Sequence, residues 1–127
     1  MLFSSYRPGA PLDDFVDSFW IAANAQAPRK ERILPSGTFE LVVNLRDDEI
    51  RVYDPARLER CRRLSGAVLS GPYSRAFACD ASQHAAMFGV HFKPGGAFPF
   101  LGTCASDLTD THADLADVWG RPAVELR

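Results

Sequence analysis

The sequence predicts an α+β domain, mostly β-structure, with short flanking helices of which the last are C-terminal. At 127 residues the chain has the size of one domain around one hydrophobic core, so residues 1–127 read as a single unit. Its apolar residues fall in short runs of β-branched and aromatic types punctuated by Pro, Gly and Asp, not in long stretches of helical period. The clearest helix signals gather at the end: Gly120 is a C-terminal stop, and Pro122 suits the first turn of a following helix.

Taken in order, residues 4–11 carry two prolines and a glycine and read as an extended lead, with order beginning near Leu12. Leu12, Phe15, Val16 and Phe19 follow helical spacing, whereas Phe19-Trp20-Ile21 suits a buried strand; a short helix entering a strand satisfies both. Pro35-Ser36-Gly37 separates Ile33-Leu34 from the run at 39–45, which predicts a turn or bulge followed by a largely buried strand. Asp47-Asp48-Glu49 marks an exposed turn, and Ile50-Arg51-Val52-Tyr53 alternates as a return strand, so a hairpin is expected here.

Residues 54–65 place Arg57, Arg60, Arg62 and Arg63 around Leu58 and Leu64, a solvated face or an anion-binding surface. Residues 67–72 are a short apolar segment running into a turn, and 75–79 continue the sheet. Met87, Phe88, Val90 and Phe92 make residues 84–92 a central strand. After Lys93-Pro94-Gly95-Gly96, the knot of Ala97, Phe98, Phe100 and Leu101 predicts a short helix or turn, because Pro99 fits only an early helical position. A helix over 114–119 ends at Gly120, and a last one presents Ala123, Val124 and Leu126.

Composition excludes several classes. With 14 Lys+Arg against 16 Asp+Glu and a net charge of -2, no global field draws the chain to nucleic acid or an anionic membrane. No window approaches the roughly 18 apolar residues of a membrane span, and no signal-like segment opens the chain, so a cytoplasmic protein is expected. Cys61, Cys79 and Cys104 form no CxxC pair and suit reduced thiols.

Local chemistry is sparse. His84 and His91, with Glu40 and Cys79, are the available metal ligands or catalytic groups, but no HxH or CxxC element pins a site, and no metal or other cofactor is expected. Ser36 and Ser70 lack the GxSxG elbow, and Lys93-Pro94-Gly95-Gly96 lacks the order of a phosphate cradle. Glu40 stands out among the carboxylates because it interrupts an apolar run, where it either faces a pocket or pairs internally. Trp20 and Trp119 suit a core or a pocket wall.

The order of short motifs is more informative. Pro11-Leu12-x-x-Phe15-Val16-x-x-Phe19-Trp20, Leu34-Pro35-Ser36-Gly37-x-x-Glu40-Leu41 and Ser70-Gly71-Pro72-x-x-Arg75 are followed by Gly89-Val90-x-Phe92-x-Pro94-Gly95-Gly96, Leu108-Thr109 and Leu115-x-x-Val118-Trp119-Gly120. Together they span nearly the whole chain, which resembles the amino-terminal domain of a subgroup of AraC/XylS-type transcriptional regulators.

The resemblance implies a cupin-like β-rich sandwich or barrel that senses an effector or dimerises. It also implies a downstream helix-turn-helix DNA-binding domain that lies outside residues 1–127, so this domain is not expected to bind DNA itself. A small organic effector and a homodimer are the expected partners, with Tyr6, Trp20, Glu40, Arg75 and His91 as the candidate ligand-binding residues. Two other classes stay open: a small metal-dependent or hydrolytic enzyme using His84, His91, Glu40 and Cys79, and an assembly domain without an effector, marked by exposed apolar surface over 115–126.

Overall fold

The computed structural model describes residues 2–23, 30–34, 36–80, 86–102 and 104–126. They form the α+β architecture that the sequence predicts: a cupin-like sandwich of two antiparallel sheets with short C-terminal helices. The strands are β1 (Leu2–Tyr6), β2 (Val16–Ala23), β3 (Lys30–Ile33), β4 (Glu40–Asn44), β5 (Ile50–Asp54), β6 (Arg57–Leu64), β7 (Ala67–Ser70), β8 (Phe77–Asp80), β9 (Ala86–Phe92) and β10 (His112–Asp114). The helices are α1 (Phe98–Leu101), α2 (Leu115–Trp119) and α3 (Arg121–Glu125), with single 3₁₀ turns at Leu12–Asp14 and Ala105–Leu108.

The larger sheet has the order β1-β2-β9-β4-β7-β10, and the smaller β3-β8-β5-β6. Strand parity gives the larger sheet two different faces. Leu41 and Val43 of β4, Ala67 and Leu69 of β7, and Phe92 of β9 join Leu101, Leu115 and Ala123 in one apolar core under the helices. Their alternate neighbours Val42, Val68 and Met87 turn the other way, where Ile50 and Leu64 of the smaller sheet complete a second core. The sheet is thus covered on both sides, which explains why its central strands read as nearly continuous apolar runs.

Two local outcomes differ from the sequence expectation. The extended lead contains a strand: β1 pairs with β2 from Leu2↔Ala23 to Tyr6↔Phe19. The prolines at 8 and 11 only end that strand. The expected hairpin of 39–45 with 50–53 does not form, because β4 and β5 belong to different sheets. Asn44 is 1% exposed and turns the corner: its amide donates to Glu49 O, while its Oδ1 accepts from the Arg46 and Asp47 N–H groups. The hairpin partner of β5 is instead β6.

The central strand begins at Ala86 among the described residues, and His84 and Pro35 lie outside them. β9 sits between β2 and β4, and Pro99 and Pro122 occupy first-turn positions of α1 and α3. Cys61, Cys79 and Cys104 form no disulfide among the described residues. No helix among the described residues is long and apolar enough to cross a membrane.

Candidate functional site

Between the two sheets lies a cavity of about 420 Å³. Its chemistry follows from register. Ser18 pairs with His91, His91 with Glu40, Glu40 with Ser70, and Ser70 with His112, so five polar residues form a belt across β2, β9, β4, β7 and β10. Directly paired residues share a face, and all five line the cavity. Two residues further along the strands the same face becomes Trp20, Gly89, Val42 and Val68. On the larger sheet the cavity wall is therefore polar along the belt and apolar in the next rank, while the smaller sheet contributes Arg51, Cys79 and Asp80 among apolar residues.

Gly89 and Trp20 are coupled sterically. A Cβ at position 89 would run into the indole Cε2, Cζ2 and Nε1 atoms of Trp20. The bare backbone lets the ring lie across β9, where its Nε1–H donates to Glu40 Oε1 at 2.6 Å. Phe3 stacks on the outer side of Trp20 at a centroid distance of 6.0 Å. Gly89→Ala is expected to displace the indole, lower stability by about 1–3 kcal/mol and shift the tryptophan fluorescence. A thermal melt followed by intrinsic emission checks both.

Burial pushes the Glu40 carboxyl above its usual range, while the Trp20 hydrogen bond and the His91 ring pull the other way. At the far end of the belt, His112 packs edge-on to Phe77 at 4.8 Å and shares a 2.6 Å hydrogen bond between Nδ1 and the Tyr73 hydroxyl. Burial and the nearby Arg62 push His112 down to about 4, and burial pushes Tyr73 up to about 12. Both are uncharged near neutral pH. In the tautomer where the hydroxyl donates to Nδ1, the ring proton sits on Nε2. Arg62 also ties the sheets together, its Nη1 donating to His112 O at 2.9 Å.

Of the five ligand-binding candidates, the fold gathers Trp20, Glu40 and His91 in this cavity. Tyr6 and Arg75 stand apart. Tyr6 has the opposite parity on β1; it is 66% exposed and stacks on Phe19, away from the cavity. Arg75 is exposed in the β7–β8 connection and lines a separate cleft with Arg60, Arg62 and Asp110. The internal partner of Glu40 is Trp20.

Cys79 lines the cavity from the opposite sheet. Among the described residues no group of three or more His, Cys, Asp or Glu side chains is arranged to hold a metal ion. Sequence reasoning missed Ser18, Ser70 and His112. The first two are small hydroxyl residues at cavity parity, a signal available once the strands are placed. His112 lies on a three-residue strand without a periodic pattern.

Residues 4–114 match the model of a family described as a domain of unknown function, DUF6597. The chain belongs to this family. The DUF6597 match spans the whole polar belt, from Ser18 to His112, and ends at the last residue of β10, before α2. No curated protein and no solved structure matches the chain.

Proposed function

We propose that this DUF6597 domain is the effector-sensing module of an AraC/XylS-type transcriptional regulator, binding a small organic molecule between its sheets without catalysing a reaction. The observation that carries the reading is the cavity itself: about 420 Å³, within the range of small-molecule sites, mostly apolar and with a few converging polar groups. The sequence resemblance supplies the regulatory context. Residues 1–127 act as one sensor unit in the cytoplasm, upstream of a helix-turn-helix domain that contacts DNA in its place.

The mechanism is a population shift. A ligand that prefers one spacing of the two sheets favours that arrangement by its difference in affinity for the two states. The sheet that carries the belt also carries the helices on its opposite face: Val42 faces the cavity while Leu41 and Val43 pack in the core with Leu115 and Ala123. Movement of β4 or β7 is therefore transmitted to α2 and α3. On α3 and just beyond it, Val124 is 71% and Leu126 47% exposed, an apolar surface suited to a DNA-binding domain or a second subunit.

The test is a screen of small organic molecules by thermal melt, with Val42→Phe as the filled-cavity control. A ligand at 100 times its Kd is expected to add about 2.7 kcal/mol, seen as a rise in Tm of several degrees, and Val42→Phe is expected to abolish that rise. Ligands that stabilise the wild type and the filled variant equally would place binding elsewhere and sink the reading.

A further inference from the structure

We infer that the cavity takes a neutral organic hydroxyl compound, an alcohol or phenol on an apolar body, with Glu40 Oε2 accepting the hydroxyl proton. This rests on the effector-binding reading above and specifies its ligand. Glu40 Oε1 is occupied by the Trp20 indole, whereas Oε2 has no hydrogen-bond partner among the described residues. An acceptor left unmatched on a largely buried carboxyl carries a desolvation penalty that a ligand donor removes.

The neighbours of Glu40 complete the match. His91 and Ser70 stand directly opposite it in register. Among the described residues the His91 ring and the Ser18 hydroxyl make no hydrogen bond, and the Ser70 hydroxyl has only a 3.4 Å contact with Gly71 O next to it. The belt thus offers one firm acceptor flanked by groups able to donate. A hydroxyl gives one proton and accepts one, so a single ligand atom answers both.

Charge disfavours an anionic head group and donor count a cationic one. A carboxylate would be brought against Glu40. Among the described lining residues the one guanidinium is Arg51, and it is already engaged by Glu49 at 3.3 Å and Asp80 at 3.5 Å. An ammonium would match the Glu40 charge but bring three donors to one free carboxylate oxygen, in a space whose walls include Val42, Ile50, Val68 and Met87, with no acceptors on their side chains.

The experiment titrates the chain with four probes of one body: 2-naphthol, 2-methoxynaphthalene, 2-naphthoate and 2-naphthylmethylamine, read by calorimetry. The expected result is that 2-naphthol binds about tenfold or more tightly than each of the others, the scale of one buried hydrogen bond left unmade. Glu40→Gln, which keeps an oxygen for Trp20 and turns the free position into a donor, is expected to weaken 2-naphthol about tenfold and the methyl ether little.

Tighter binding of the naphthoate or the amine, lost in Val42→Phe, would overturn the hydroxyl assignment and leave the effector cavity standing. Equal binding of 2-naphthol and its methyl ether, unchanged in Glu40→Gln, would likewise overturn it. If none of the four binds, or if Val42→Phe changes nothing, the hydroxyl assignment and the cavity reading fall together.

Discussion

Leu69→Ala is expected to lower the unfolding free energy by about 2–5 kcal/mol, the range for removing a fully enclosed leucine side chain. Leu69 is 0% exposed at the middle of β7 and belongs to the core between the larger sheet and the helices, with Leu41, Leu115 and Ala123. Its backbone is held from both sides, by Leu41 of β4 and Ala113 of β10, so the sheet cannot close over the vacated volume. Denaturant unfolding at constant m-value checks the size. A loss below about 1 kcal/mol, the scale of a volume-conserving core swap, would show that α2 and α3 are not seated on the sheet as described. The transmission route proposed from cavity to helices would then fail as well. Val124→Ser, on exposed α3, is the contrasting control, expected within about 0.5 kcal/mol of wild type.

The same alternation explains what the sequence could and could not disclose. Glu40 was legible because a carboxylate inside an apolar run must meet either a partner or a cavity, and the fold supplies both. Trp20 and His91 share the cavity face of β2 and β9, a parity that the consecutive apolar residues Met87 and Phe88 obscure in the sequence. Tyr6 was misplaced by one step of the same rule: with β1 read as a lead, nothing indicated that Phe3 and Ser5, not Tyr6, share a face with Trp20. The β4–β5 corner was illegible for a different reason. Asn44 turns it through three hydrogen bonds to its own loop, whereas in sequence an Asn before Asp-Asp-Glu looks like any exposed hairpin turn. His112 owes its place to pairing with β7 and to Tyr73, contacts across 39 or more positions that no local pattern encodes.

His112 also sets the largest expected pH effect. Its folded-state pKa is pushed down to about 4 from the ordinary 6.5, so the unfolded chain takes up a proton that the native chain refuses. Above pH 6.5 both states are neutral at this residue and it makes no difference to stability. As pH falls below 6.5 the unfolded state binds more protons, and stability drops by about 1.4 kcal/mol per pH unit until the native ring also titrates near 4. The total is about 3 kcal/mol. Glu40 runs in the opposite sense: its raised pKa makes the native state the better proton acceptor, so falling pH favours folding there. Asp110, whose carboxyl is held low by the Ser74 hydroxyl and N–H, adds to the acid loss. His112→Asn separates the terms, since its amide oxygen still accepts from Tyr73 while nothing at the position titrates, and the other groups cancel on subtraction. Between pH 7 and pH 4 the wild type is expected to lose about 3 kcal/mol more than the variant. Equal losses in the two proteins would mean that the imidazole is hydrated and free to protonate, and the far wall of the cavity would then be open to solvent.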